Sequence, residues 1–236
     1  MGKGKAFINW SSGKDATMAL HTIQTNKRVS LLLTAISEQY QRVTMHGLHR
    51  SLLEAQSTSL GIPLEVVELP SNPTMEVYEK TMMDKLSKLR KEGYDTSYFG
   101  DIFLEDLKTY RENLFHPLGF ETRFPLWKKD TRQLLLDFIA KGFKAIVVAV
   151  DAQELDKSFC GRLIDQQFLE DLPDHVDPCG ENGEFHTFCF DGPIFHTPIA
   201  FSKGALLYKT YPSPKAPETH QNQVYGSWYC DLQLLD

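Results

Sequence analysis

Residues 6–23 pass from an apolar run, Ala6-Phe7-Ile8-Asn9-Trp10, through a short run of small polar residues into a segment with helical spacing. A strand that turns directly into a helix commits the chain to a βα unit, and a βα unit needs a parallel partner strand. The connecting loop, Ser11-Ser12-Gly13-Lys14-Asp15-Ala16, opens that helix. Its amides therefore sit unpaired at the positive end of the helix dipole, a place suited to a phosphate group. Two common phosphate patterns do not fit. A Walker loop needs glycine where Ile8 stands and Ser or Thr where Asp15 stands, and G-x-G-x-x-G is absent from the loop. A polar strand-to-helix turn capped by Ser11 or Ser12 is the alternative reading.

Strand and helix signals keep alternating downstream. Val29–Ile36 reads as a buried strand, Leu48, Leu52 and Ala55 mark a helix ending near Gly61, and Leu64–Leu69 reads as a strand. Tyr78, Met82, Leu86 and Leu89 line a longer helix stopped near Gly93, Thr96–Phe99 leads into Gly100-Asp101, and a further helix spans about 104–114. This order predicts an α/β fold with a doubly wound parallel sheet. In such a sheet the loop Ser11–Asp15, the segment after Ile36, and Gly100-Asp101 all lie at strand carboxyl ends and converge on one ligand.

Past Pro125 the texture changes, which places a soft domain boundary there: 1–125 and 126–236. Asp130 and Gln133 form a capping pair for a helix through Leu135, Phe138 and Ile139, and Lys144–Val150 is the clearest strand. His46 and His49 are expected at the start of a helix, and Arg162 and Asp165 in the first part of another. Beyond Leu172 polar loops and shorter strands are expected, at Ala205–Tyr211 and Val224–Leu232, with an exposed turn over 212–217. A second concentration of chemistry lies in Gly180-Glu181-Asn182-Gly183-Glu184-Phe185-His186-Thr187-Phe188. Carboxylates flanked by aromatic residues suit proton transfer or amine binding. The other reading of Glu181 and Glu184 is a hairpin in which both bond to backbone amides.

Composition limits the partners. With 25 basic and 31 acidic residues, the net charge of −6 argues against a nucleic-acid backbone as ligand. The four cysteines show no C-x-x-C spacing. The sequence start runs straight into a strand and no apolar run approaches membrane-spanning length, so a soluble cytoplasmic protein without a membrane partner is expected.

The Ser11–Ala16 loop resembles the Ser-Gly-Gly-Lys-Asp-Ser loop of the N-type ATP pyrophosphatases (the PP-loop superfamily), with Ser12 at the middle glycine and Ala16 at the final serine. The wider set of motifs resembles the diphthine–ammonia ligase family: Gly180–Phe188, then Asp191-Gly192-Pro193-Ile194-Phe195, Tyr98–Ile102 and Phe124–Trp127, in family order. Met45-His46-Gly47 and Asp177–Gly180 look closest to its bacterial members. The resemblance implies a Rossmann-like PP-loop nucleotide domain over 1–125 and a smaller C-terminal α+β domain over 126–236 that carries the Glu motif. It also implies an ATP-dependent, AMP-forming amide ligase that adenylates a carboxylate, small or protein-borne, for attack by ammonia or an amine.

On that reading Ser11, Ser12, Gly13, Lys14, Asp15, Ile36, Gly100 and Asp101 bind ATP, and Asp15, with Asp101 as a second candidate, holds Mg²⁺. Lys14, Glu181 and Glu184 are the catalytic candidates, and His46, Asn182, His186 and Arg162 the substrate-binding ones. Arg162 enters through Leu155–Arg162, which resembles the family's linker. A nucleotide sensor without turnover and a PP-loop tRNA-modifying enzyme are the alternatives, and a homodimer is left open.

Overall fold

The computed structural model describes residues 4–24, 29–43, 46–71, 73–212 and 224–235. Its first part runs β1 (Lys5–Asn9), α1 (Lys14–Gln24), β2 (Val29–Ser37), β3 (Arg42–Val43), α2 (Arg50–Leu60), β4 (Leu64–Leu69), α3 (Met75–Lys91), β5 (Tyr94–Tyr98), α4 (Glu105–Phe115) and β6 (Glu121–Arg123). Strands β4, β2, β1, β5 and β6 lie side by side and parallel, while β3 pairs antiparallel with the end of β2. β1 is central, with Ile8 opposite Leu32 on one side and Tyr98 on the other.

Ala6, Phe7 and Ile8 of β1 are apolar in succession because both faces of a central parallel strand are covered. Phe7 packs with Leu86, Leu89, Phe115 and Phe120 from the α3 and α4 side. Ile8 belongs to the opposite core with Ala19, Leu20 and Leu52 from α1 and α2. Phe7 is fully buried, so its truncation to alanine costs about 3–5 kcal/mol.

Between Arg123 and Thr131 the chain leaves this sheet. α5 (Thr131–Ala140), β7 (Lys144–Asp151), α6 (Gln166–Asp171), β8 (Phe185–Asp191), β9 (Phe201–Pro212) and β10 (Val224–Leu234) follow. The four strands make an antiparallel sheet in the order β8-β7-β10-β9. Buried Ile146, Val148, Phe185 and Phe188 of this sheet share one core with the α1 and α2 side of the first. The two helices are thus covered on both sides.

Several local expectations change. Asp130 Oδ1 accepts the Gln133 amide at 2.7 Å, but the Gln133 side chain bonds Asp137 instead of returning, so half the capping box forms. His49 is the N-cap of α2, bonding the Ser51 amide, and His46 lies before it. Asp165 is the N-cap of α6, and Arg162 precedes that helix. β9 and β10 are long instead of short, because each satisfies the other's backbone along almost its whole length. The turn expected at 212–217 lies, beyond Pro212, outside the described residues.

Candidate active site

The order of the parallel strands reverses at β1: β2 lies on one side and β5 on the other. A crevice opens between the carboxyl ends of β1 and β5 at such a point. The loop 11–13 and residues 99–101 form its two lips, and a cavity of about 220 Å³ lies there.

The first lip is held by long-range bonds. Ser12 has φ 73°, a left-handed conformation that glycine adopts freely and serine at a cost. Its carbonyl accepts the Cys189 amide of β8 at 2.9 Å and the Gln56 side-chain amide at 3.0 Å. Gln56 is fully buried and also bonds the Cys189 carbonyl and the Trp10 indole N–H. The Lys14 amide donates to Thr187 Oγ1 at 3.0 Å, whereas the amides of Asp15 and Ala16 have no acceptor among the described residues. The second lip presses against the same turn. A Cβ on Gly100 would stand 2.9 Å from the Ala16 nitrogen, so only glycine fits.

Charges line the space between. The buried Lys14 ammonium bonds Asp15 Oδ2 at 2.8 Å and the Cys179 carbonyl, and lies 5.1 Å over the Phe185 ring. Burial is the largest influence on Lys14 and lowers it, but Asp15, Cys179 and Glu181 together outweigh burial and hold the ammonium above its ordinary pKa. Burial pushes the Asp15 carboxyl up against the pull of Lys14, and Asp177 and Asp101 add to the rise. Asp101 meets Arg111 of α4 in a two-point pair, with Nε on Oδ2 at 2.7 Å and Nη2 on Oδ1 at 3.0 Å.

Glu181 reaches this space from the C-terminal part of the chain. Its Oε1 accepts the amides of Ile102 at 2.6 Å and Phe103 at 3.3 Å. Burial raises its pKa to about 7, helped by Asp15 and Asp101 and resisted by those two amides. His46 and His186 stack with centroids 4.6 Å apart. Burial lowers His186 to about 4 and His46 well below the usual histidine range, the latter also through His186, so both imidazoles are neutral at pH 7.

Of the residues singled out from the sequence, Ser11, Gly13, Lys14, Asp15, Gly100, Asp101, Glu181, His46 and His186 line this one cavity. Ser12, Ile36, Glu184, Asn182 and Arg162 do not. Ser12 and Ile36 are fully buried, Ser12 facing β8 and Ile36 within the core. Glu184 turns into its own loop, where it accepts the amides of Asp177 and Asn182 and the Asn182 side chain, each at 2.9 Å. Arg162 pairs with Asp171 at 2.7 Å and lies over Phe159 and Phe168. Sequence reasoning missed Asn9, Arg111 and Thr187 on the cavity wall. Thr187 stands inside the Glu motif and was within reach; Arg111 carries no local signal, since only the fold brings α4 to Asp101. Among the described residues no group of three or more His, Cys, Asp or Glu side chains forms a metal cluster, and no helix is long and apolar enough to cross a membrane.

Comparison with known proteins gives the site a context. Residues 4–122 match the family described as diphthamide synthase N-terminal domain, and residues 130–210 match diphthamide synthase C-terminal domain. The chain is 28% identical over 184 residues to the diphthine–ammonia ligases of Homo sapiens and Bos taurus, covering 72% of this chain and 68% of each relative. It is 32% identical over 104 residues to that of Schizosaccharomyces pombe, covering 41% of this chain and 17% of the relative.

Proposed function

The chain belongs to the diphthamide synthase family, whose relatives are ATP-dependent ligases, and on that premise we propose that it forms an amide by adenylating a substrate carboxylate. The observation that carries the reading is the meeting of Glu181 with the amides of Ile102 and Phe103, beside the open N-terminus of α1. One cavity thereby combines a phosphate-sized anion site with a carboxyl group whose pKa lies near neutrality.

The residues present fit a nucleotide polyphosphate. Two unpaired amides, the positive end of α1, Lys14 and Arg111 offset its charge, and Gly100 keeps the approach free of a side chain. Mg²⁺ would be held through water by Asp15 and supply charge neutralisation on the phosphates. A substrate carboxylate oxygen attacks the α-phosphorus, the α–β bridging bond breaks, and pyrophosphate leaves. Ammonia then attacks the acyl carbon, the bond to AMP breaks, and the nitrogen loses a proton. Glu181 is suited to take that proton because its pKa matches working pH. The neutral His46–His186 pair forms the wall where the acyl group is positioned, adding no charge that would compete for the phosphates.

The relatives are named for joining diphthine to ammonia; the reaction class is what this chain's residues support, with the carboxylate small or protein-borne. Phosphorus NMR of the protein with ATP, Mg²⁺, ammonium and a pool of cell carboxylates tests the proposal. AMP and pyrophosphate are expected. ADP and phosphate would overturn it.

A further inference from the structure

We propose that Arg111 is the cation that meets the phosphate chain, with Asp101 and Phe99 as its holders; the inference rests on the nucleotide reading above. The loop's own cation is Lys14, but its ammonium is already bonded to Asp15 and the Cys179 carbonyl and is buried under them. Arg111 is the other cation on the cavity wall.

Its geometry is that of a preset donor. Asp101 takes Nε and Nη2, and the guanidinium carbon lies 4.6 Å over the Phe99 ring. Nη1 keeps both N–H groups without a hydrogen bond among the described residues. A planar fork fixed on two of its nitrogens and one face has lost its rotamer freedom before a ligand arrives, so the third nitrogen binds an anion with little further ordering. A lysine at this place has one nitrogen and cannot serve Asp101 and an anion with the same rigid fork. Both oxygens of Asp101 face Arg111, which makes Asp101 a positioning residue for that arginine in place of the Mg²⁺ ligand expected from the sequence.

Calorimetric titration with pyrophosphate and, separately, with adenosine tests the assignment on wild type, Arg111→Gln, Arg111→Lys and Asp101→Asn. Arg111→Gln should weaken pyrophosphate at least about tenfold and leave adenosine within about twofold, a split that general damage to the fold would not give. Arg111→Lys should also lose at least about fivefold on pyrophosphate, and Asp101→Asn should lose less than Arg111→Gln. Pyrophosphate binding within twofold of wild type in Arg111→Gln overturns the proposal. If that variant does not fold, wild-type pyrophosphate affinity in Arg111→Lys overturns it instead. Wild-type protein that binds neither pyrophosphate nor ATP overturns the nucleotide reading itself, and this inference with it.

Discussion

The Ile102 amide donates to Glu181 Oε1 at 2.6 Å across 79 positions of sequence, and this bond brings the Glu motif to the loop that follows β5. Burial nevertheless keeps the carboxyl protonated up to about pH 7. A base must be ionised to act, so kcat should rise with pH through an apparent pKa near 7. Glu181→Gln should remove that limb and lower kcat by about 10²–10⁴-fold. Initial-rate profiles from pH 5.5 to 8.5 check both.

The same shift has a consequence for stability, with the opposite sense from the usual carboxylate. The folded Glu181 binds its proton more tightly than the unfolded chain, whose carboxyl titrates near 4.5. Between about pH 4.5 and 7 the folded state therefore holds more protons, and this group's contribution falls as pH rises. Melting curves at pH 5 and 7.5 should show a smaller loss on alkalinisation for Glu181→Gln than for wild type.

Ser12 pays a backbone cost at φ 73° and buries a hydroxyl with no partner among the described residues. Ser12→Gly should stabilise by about 1 kcal/mol, relief of both terms exceeding the entropy of the added glycine. Ser12→Val should destabilise by more than about 2 kcal/mol, since a β-branched residue is poorly suited to that conformation. Urea denaturation separates the two.

Gly100→Ala places a methyl 2.9 Å from a backbone nitrogen that cannot yield cheaply. A loss of about 1–3 kcal/mol in stability is expected, along with weaker ATP binding as α1 is pushed back. Thermal denaturation with and without ATP measures both.

Glu184 accepts three hydrogen bonds from its own loop, so its removal leaves the amides of Asp177 and Asn182 unpaired. Glu184→Ala should cost about 2–3 kcal/mol and reduce kcat through loss of loop geometry. Glu184→Gln should retain the pH limb near 7, because that limb belongs to Glu181. A profile that flattens in Glu184→Gln would reassign the base.

Much of the parallel sheet was legible because its strands are buried on both faces and its helices carry one apolar stripe, as at Leu52 or Leu86. β6 was not, since three residues give no period. In the site, the Ser11–Asp15 loop and Glu181 were legible as chemistry. What stayed hidden was direction. Glu184 differs from Glu181 by three positions in the same motif, yet one turns inward on its loop and the other crosses to Ile102. Arg111 shows the same limit, because its place is set by how α4 turns it back onto Asp101 and Phe99, which its own position on the helix does not announce.

Gln56 joins the carbonyls of Ser12 and Cys189 with the Trp10 indole, through bonds that span up to 133 residues of sequence. Contacts that distant in sequence close late and slowly. During synthesis, the segment 10–14 therefore leaves the ribosome long before the strand that locks it, and the site matures only once β8 has been made. A fragment that stops after β6 lacks the clasp on the 11–13 loop. The segment made first waits for the one made later.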